Sequence, residues 1–436
     1  MQFADRQRYY NRCKPLEALA PNDDRNVEID AICIDGERPR GAVWVDRIAN
    51  HFLLADGPLC RFVTGLPGSG KSTDLLRLAE HLRQDHTCKL LPIIAKAEDL
   101  LDLDAPIDVP DLMLAVVQAT EAEVSRVCGP APSATGAMER LWKWLSSTDV
   151  ELQKLEASVG VAKVVAELRR RDDLRARLRN NVSLRVRAFI AEVRERLTEL
   201  EARARDSGFA GLLVIVDSLE KLRGISTNWL QVLDSAERTF VAQAEDLVLP
   251  VHVVYTVPLA LIWRMRQDVD VMPMIKLYGR DAPRDGAMHG AGLEAALQIV
   301  RRRIPEDGLR QLFGDEWLMS VTRLIRLSGG YPRDLVHLLQ MAVHAVQDAP
   351  LDERDVDRVC NEFSDQLQRM VLADDLPIVA RVAAERAVRP QEGQLHTLDR
   401  LVRAQVILAY HNDRPWFDVH PAARELLATS DDARTP

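Results

Sequence analysis

Cysteine is scarce and unpatterned in this chain. Six residues, at positions 13, 33, 60, 88, 128 and 360, form no Cys-x-x-Cys pair and no metal-ligand spacing. That argues against a disulfide framework and fits free thiols in a reducing cytoplasm. Long apolar runs are missing as well. The longest uncharged stretch, Leu247 to Trp263, contains two prolines and His252, and it falls short of the roughly 20 apolar residues a spanning helix needs. It reads as a buried strand and the start of a helix, so no membrane partner is expected. The opening Met1–Lys14 carries charges where a signal peptide needs an apolar stretch. The histidines lack ligand spacing; His337 and His344 are seven apart on one helical pattern. A surplus of basic charge is also absent. The net charge of −9 opposes a generally basic nucleic-acid-binding surface while leaving room for a local one.

What is present is a soluble, globular composition, 47% hydrophobic and 28% charged. A length of 436 residues predicts about two or three domains. Five apolar β-like runs, Arg61–Thr64, Lys89–Ala95, Leu212–Asp217, Val251–Val257 and Met274–Leu277, are separated by helical or charged segments. That alternation predicts an α/β fold with an open parallel sheet and crossover helices. A helical insertion of about residues 110–206 interrupts it. On its last helix Val182, Val186, Phe189, Ile190, Val193, Leu197 and Leu200 share one face.

The division expected is a lead-in segment at 1–45, without clear periodicity and packed on the core, then a nucleotide-binding core at 46–285. A helical lid at 286–350 is broken at Ser328-Gly329-Gly330-Tyr331-Pro332, where the glycines supply a turn and Pro332 suits a first helical turn. Residues 351–436 form a further unit. Its helices lead to Val406–Tyr410, a polar turn His411–Arg414, and Trp416–Val419, which predicts a terminal hairpin of winged-helix type.

The chemistry is concentrated in Gly65-Leu66-Pro67-Gly68-Ser69-Gly70-Lys71-Ser72-Thr73, which fits the phosphate-loop pattern G-x-x-x-x-G-K-[ST]. Glycines let successive backbone N–H groups surround phosphates. The helix starting near Lys71 adds the positive end of its dipole. Lys71 reaches the β- and γ-phosphates as a point charge, and the Ser72 hydroxyl suits a Mg²⁺ ligand. Gly211–Glu220 is a buried strand ending in Asp217, which a phosphate-loop core places near the Mg²⁺ shell. Glu220 has two readings: a base that positions water, or a carboxylate that caps a helix or pairs with Lys221 or Arg223. Thr256, at the end of the fourth run, either senses the γ-phosphate or bonds backbone. Arg333, opening a helix in the lid, either reaches back to the γ-phosphate or pairs with Asp334 or another neighbour.

With these residues in place the chain resembles, over about residues 40–436, the AAA+ and STAND branch of P-loop ATPases, including initiator-loader ATPases. Lys14-Pro15-Leu16 and Asp217–Leu222 also look like a recurring bacterial group of AAA-family ATPases. The resemblance implies an αβα sandwich with sheet order 5-1-4-3-2, a helical lid and a winged helix. It implies ATP and Mg²⁺ as cofactors, Mg²⁺ ligation by Ser72 and Asp217, and catalytic roles for Lys71, Glu220, Thr256 and Arg333. Two features depart from it. Ser218, not an acid, follows Asp217, and no arginine among Arg264, Arg266 and Arg280 is marked as a finger for a neighbouring subunit, so ring assembly is unsupported. The expected activity is slow, Mg²⁺-dependent ATP hydrolysis in a cytoplasmic regulatory switch. It would act with a protein partner or effector, in bacterial signalling or antiphage defence.

DNA is the alternative partner, as for a loader or transposition regulator. Arginines 169, 170, 171, 175, 177, 179, 185 and 187 cluster with only Asp172 and Asp173 among them, and Arg400, Arg403 and Arg414 lie in the candidate winged helix. The basic cluster reads more simply as a solvated helix face, and Asp399, Asp413 and Asp418 dilute the second group. A small-molecule kinase is a weaker third reading, since no acceptor-binding motif is evident.

Overall fold

The structure is a computed structural model. It describes residues 1–17, 19–86, 88–129, 186–222, 228–347, 349–391, 393–412 and 414–432. Arginines 169 to 185 of the basic cluster, and Val182, lie outside the described residues. Five strands form one sheet: β1 (Cys60–Gly65), β2 (Leu90–Lys96), β3 (Gly211–Asp217), β4 (His252–Thr256) and β5 (Val269–Met272). Their order is β2-β3-β4-β1-β5, which from the other edge is the expected 5-1-4-3-2. The pairs β1–β4, β4–β3 and β3–β2 are parallel.

The fifth strand is not at Met274–Leu277, where an apolar run predicts it. It is Val269–Met272, whose Asp270 binds Arg61 at 2.6 Å. The apolar run is buried for another reason. Its backbone bonds irregular or distant partners, Met274 N–H to the Ala409 carbonyl, Ile275 N–H to Gly330 and Lys276 N–H to Pro39. Burial calls for apolar side chains whether or not a ladder supplies the hydrogen bonds.

The chain divides into two compact units. One comprises Ile48–Thr64 and Leu75–Asp270, the other Met1–Arg47, Gly65–Asp74 and Val271–Pro436. The first holds most of the sheet. Every residue of β3 is buried, as a central parallel strand covered on both faces requires. Helix Val109–Cys128 starts at a capping box in which Asp108 and Asp111 each accept the other's backbone N–H. It packs against helix Val186–Asp206, where Phe189, Ile190, Val193, Leu197 and Leu200 are buried as the spacing predicts. Arg196, inside that contact, is held by Glu121 at 2.6 Å and Glu199 at 2.8 Å.

The second unit is mainly helical, with helices Gly290–Arg303, Glu306–Phe313, Trp317–Leu327, Pro332–Ala345, Glu353–Gln368, Leu376–Glu385 and Leu395–Arg403. An antiparallel hairpin follows, β6 (Ile407–His411) with β7 (Pro415–Val419). The break between Leu327 and Pro332 falls where the sequence places it. Gly329 and Gly330 have φ of 62° and 78°, and a Cβ on Gly330 would lie 1.9 Å from the Ile275 carbonyl oxygen, so no other residue fits. The N-terminal segment contains a helix, Phe3–Arg12, that the sequence reading leaves out. It packs on helix Pro332–Ala345, with Arg6 Nε donating to the Val343 carbonyl at 3.0 Å. Only Tyr9 of that helix is buried, too little to show an apolar stripe. All six cysteines are free, and burial pushes the thiols of Cys13 and Cys60 up to about 12, which favours their protonated form. No described helix is long and apolar enough to cross a membrane.

Candidate phosphate-binding site

Strand β1 runs into the loop Gly65–Thr73, and helix Lys71–Gln84 runs out of it. Gly65, Gly68 and Gly70 have φ of 154°, 91° and 100°, so the turn depends on residues without Cβ. At Gly68 space is decisive too, because a Cβ there would stand 2.3 Å from Arg333 Nε. Lys71 is 2% exposed. Its ammonium donates to the carbonyls of Gly65 at 3.0 Å and Leu66 at 3.1 Å. Ser69 N–H closes the turn on the Leu66 carbonyl at 3.1 Å. Pro67 is half-buried and its carbonyl accepts from the Tyr331 hydroxyl. Ser72 and Thr73, half-buried, occupy the first helical turn.

Arg333 packs against Gly68, and its Nε is buried with no hydrogen-bond partner among the described residues. Asp334, one neighbour expected to pair with it, lies 3.2 Å from His420 Nε2, and no ion pair joins it to Arg333 among the described residues. Tyr331 is fully buried, and burial pushes its phenol up, which keeps it a proton donor to Pro67.

A clamp absent from the sequence reading holds the other side of the loop. Arg40, from the lead-in segment, is 2% exposed. It donates to Asp74 Oδ2 at 2.6 Å and to the Ser69 carbonyl at 2.8 Å. Asp30 stands 3.8 Å away and accepts the Trp44 N–H at 2.9 Å. Burial works against the guanidinium charge, and Asp74 and Asp30 more than offset it, leaving Arg40 above its usual range. Nothing in the sequence marks Arg40 as a partner of Asp74, 34 residues away.

The other candidate residues lie at the carboxyl edge of the sheet. Asp217 ends β3, in register with Lys96, and is 5% exposed. The chain then reverses at Ser218, which adopts φ of 74°, and passes through the single turn Leu219–Lys221. Glu220 in that turn is buried, while Lys221 pairs with Glu98 at 2.7 Å. Thr256 is fully buried. Its hydroxyl accepts from Leu219 N–H at 2.9 Å and donates to the Val216 carbonyl at 3.2 Å. Both are bonds to backbone, and they tie the end of β4 to the turn that follows Asp217. Of the finger candidates, Arg264 pairs with Glu237, while Arg266 and Arg280 are exposed. Among the described residues no cluster of His, Cys, Asp or Glu could hold a metal by itself.

No protein-family model and no curated protein matches the sequence. Among solved structures the chain is similar to a Walker-type ATPase of Pyrococcus abyssi, at 12% identity over 93% of this chain and 100% of that one, with a TM-score of 0.40. It is also similar to the ORC2 protein of Aeropyrum pernix, whose structure holds ADPNP and ADP, at 13% identity over 89% and 91% with a TM-score of 0.37. The Cdc6p protein of Pyrobaculum aerophilum aligns at 13% identity over 89% and 91%, with a TM-score of 0.32. Likeness at these scores assigns no function. The phosphate-loop reading rests on this chain's own geometry.

Proposed function

We propose that this chain is a Mg²⁺-dependent ATPase that works as a conformational switch on a protein partner or effector. The observation that carries it is the loop Gly65–Thr73, with three left-handed glycines, the buried Lys71 held only a few residues away, and Arg333 laid against Gly68. These residues fit a triphosphate tail. An ammonium resting on main-chain carbonyls can transfer to phosphate oxygens, and a guanidinium with an unpartnered Nε has hydrogen-bonding capacity to offer. Bound ATP·Mg²⁺ would supply the phosphoryl group and a divalent charge. The loop amides and Lys71 would bind and orient the phosphates, and Ser72 and Asp217 are the residues we assign to hold the cation. Glu220, buried in the turn after β3, would position water, while its neighbour Lys221 pairs with Glu98. Arg333 stabilises charge on the phosphates.

The switch reading adds the hairpin. Tyr410 at the end of β6 donates to the Gly329 carbonyl at 2.6 Å, and His420 after β7 faces Asp334. Both contacts flank Arg333 in sequence, so a winged-helix-like unit here is coupled to the residue that would read the γ-phosphate. The same two contacts give such a unit the means to act as a brake, in bacterial signalling or antiphage defence. For DNA two of the candidate arginines are less available: Arg400 pairs with Asp375 and Arg403 with Asp399 at 2.8 Å.

The test is nucleotide binding by calorimetry. Lys71→Ala should weaken ATP by about a hundredfold, the loss of charged contacts to two phosphates. Undiminished binding with an intact fold would sink the assignment.

A further inference from the structure

Within the helical unit, the hairpin β6–β7 and the turn at Gly329 border a pocket of about 200 Å³. Its lining combines stacked aromatics with an excess of guanidinium groups. Tyr410 and Trp416 stack with centroids 4.5 Å apart and planes 21° apart. Arg284 lies over Trp416 at 5.4 Å and over Tyr278 at 5.5 Å, a cation held between two rings.

The charges do not balance. Asp418 is the one carboxylate in the lining. Arg284 takes its Oδ2 at 2.7 Å, and Arg424 takes its Oδ1. Arg326 lines the same pocket, exposed and without an ion pair among the described residues. Arg386 stands close by. Burial first, then Arg284 and Arg424, push its guanidinium below the usual range, against the opposing pull of Asp418 and Asp281. One neutral group is also left over. The Tyr278 hydroxyl is buried, on a residue 8% exposed, with no hydrogen-bond partner among the described residues. A buried donor of this kind costs about 1–3 kcal/mol unless something satisfies it.

We propose that this pocket binds a small aromatic anion, a planar ring bearing a carboxylate or a phosphate. The ring packs on the Trp416–Tyr410 stack, Arg326 and Arg424 take the acid group, and the Tyr278 hydroxyl satisfies a ring or acid oxygen. The volume lies below the roughly 300–1,000 Å³ of drug-sized sites, which suits one or two fused rings and excludes a nucleoside triphosphate. The proposal does not depend on the ATPase reading.

Calorimetric titration of the full chain with phenyl phosphate and with indole-3-acetate tests it, each with and without saturating ATP·Mg²⁺. At least one probe should bind saturably at one per chain, and which one does so distinguishes phosphate from carboxylate as the acid. ATP should leave that binding in place. Neutral indole should bind about tenfold more weakly, as should the acid probe to Arg326→Gln, an exposed change that leaves the core intact. The proposal is overturned if neither probe saturates, if ATP displaces the probe, or if Arg326→Gln binds it as tightly as the parent chain.

Discussion

The phosphate loop and the carboxyl edge of the sheet are both buried and polar, yet they are held by different means. At the loop, side chains from far along the chain grip main-chain carbonyls: Arg40 holds Ser69, Tyr331 holds Pro67, and Arg333 covers Gly68. At the sheet edge, parallel register aligns β3 with β2 and β4, and one hydroxyl, that of Thr256, fixes the turn after Asp217. A glycine-rich loop has few side chains of its own to fix its shape, so distant residues add to what Lys71 does from within it. A strand end inherits its shape from the ladder, to which the Thr256 hydroxyl here adds two bonds.

The sharpest way to break that comparison is to remove the clamp. Arg40→Ala leaves Asp74 and Asp30 buried without their cation, which costs about 3–5 kcal/mol and should lower the denaturant midpoint accordingly. The double change Arg40→Met with Asp74→Leu should recover the part of that stability that belongs to Asp74, since an apolar pair can replace a buried ion pair, while Asp30 still lacks Arg40. ATP affinity should stay impaired, because the Ser69 carbonyl has still lost its donor. Full recovery of affinity would show that the clamp only stabilises the fold.

The next effect belongs to the sheet edge. Thr256→Val removes the acceptor for Leu219 N–H and the donor to Val216, both buried, at a cost of about 1–3 kcal/mol. Denaturation measures it. If stability is unchanged and ATP turnover falls, the hydroxyl acts on the phosphate instead of on the turn. Arg333→Ala should show the reverse pattern. With no ion pair among the described residues to lose, its stability should change by less than about 1 kcal/mol, while ATP affinity falls about tenfold. A large loss of stability with unchanged affinity would make Arg333 a packing residue.

The two regions also differ in how much of them the sequence makes legible. Gly65–Thr73 and Asp217 are visible because phosphate binding and a strand end impose residue types at fixed spacing. The break at Gly329–Gly330 and the hairpin of β6 and β7 are visible for the same reason, since periodicity and turn chemistry are local, whereas the sheet order follows only from the family resemblance and not from any local pattern. Arg40 is not visible, because its meaning comes only from Asp74 and Ser69, which folding brings to it. The fifth strand is misplaced because Asp270 interrupts its pattern, while the apolar Met274–Leu277 mimics a strand yet bonds Ala409, Gly330 and Pro39 through irregular backbone. Thr256 shows a further limit: the sequence marks the position but cannot say which partner its hydroxyl takes.

The smallest expected effect separates two adjacent residues of the turn after β3. Lys221 and Glu98 are 39% and 45% exposed and 2.7 Å apart, so Lys221→Ala should cost less than about 1 kcal/mol and leave ATP turnover near that of the parent chain. Glu220, one residue earlier, is buried. Glu220→Gln keeps its size while removing the charge, and should slow turnover and leave ATP bound. Single-turnover kinetics on the two variants compares them directly. Equal slowing would mean that the turn acts as a unit through its backbone, with neither side chain positioning water. A slow Glu220→Gln beside an unaffected Lys221→Ala would place that role on the buried carboxylate, since only the buried member of the pair is shielded enough for its charge to matter.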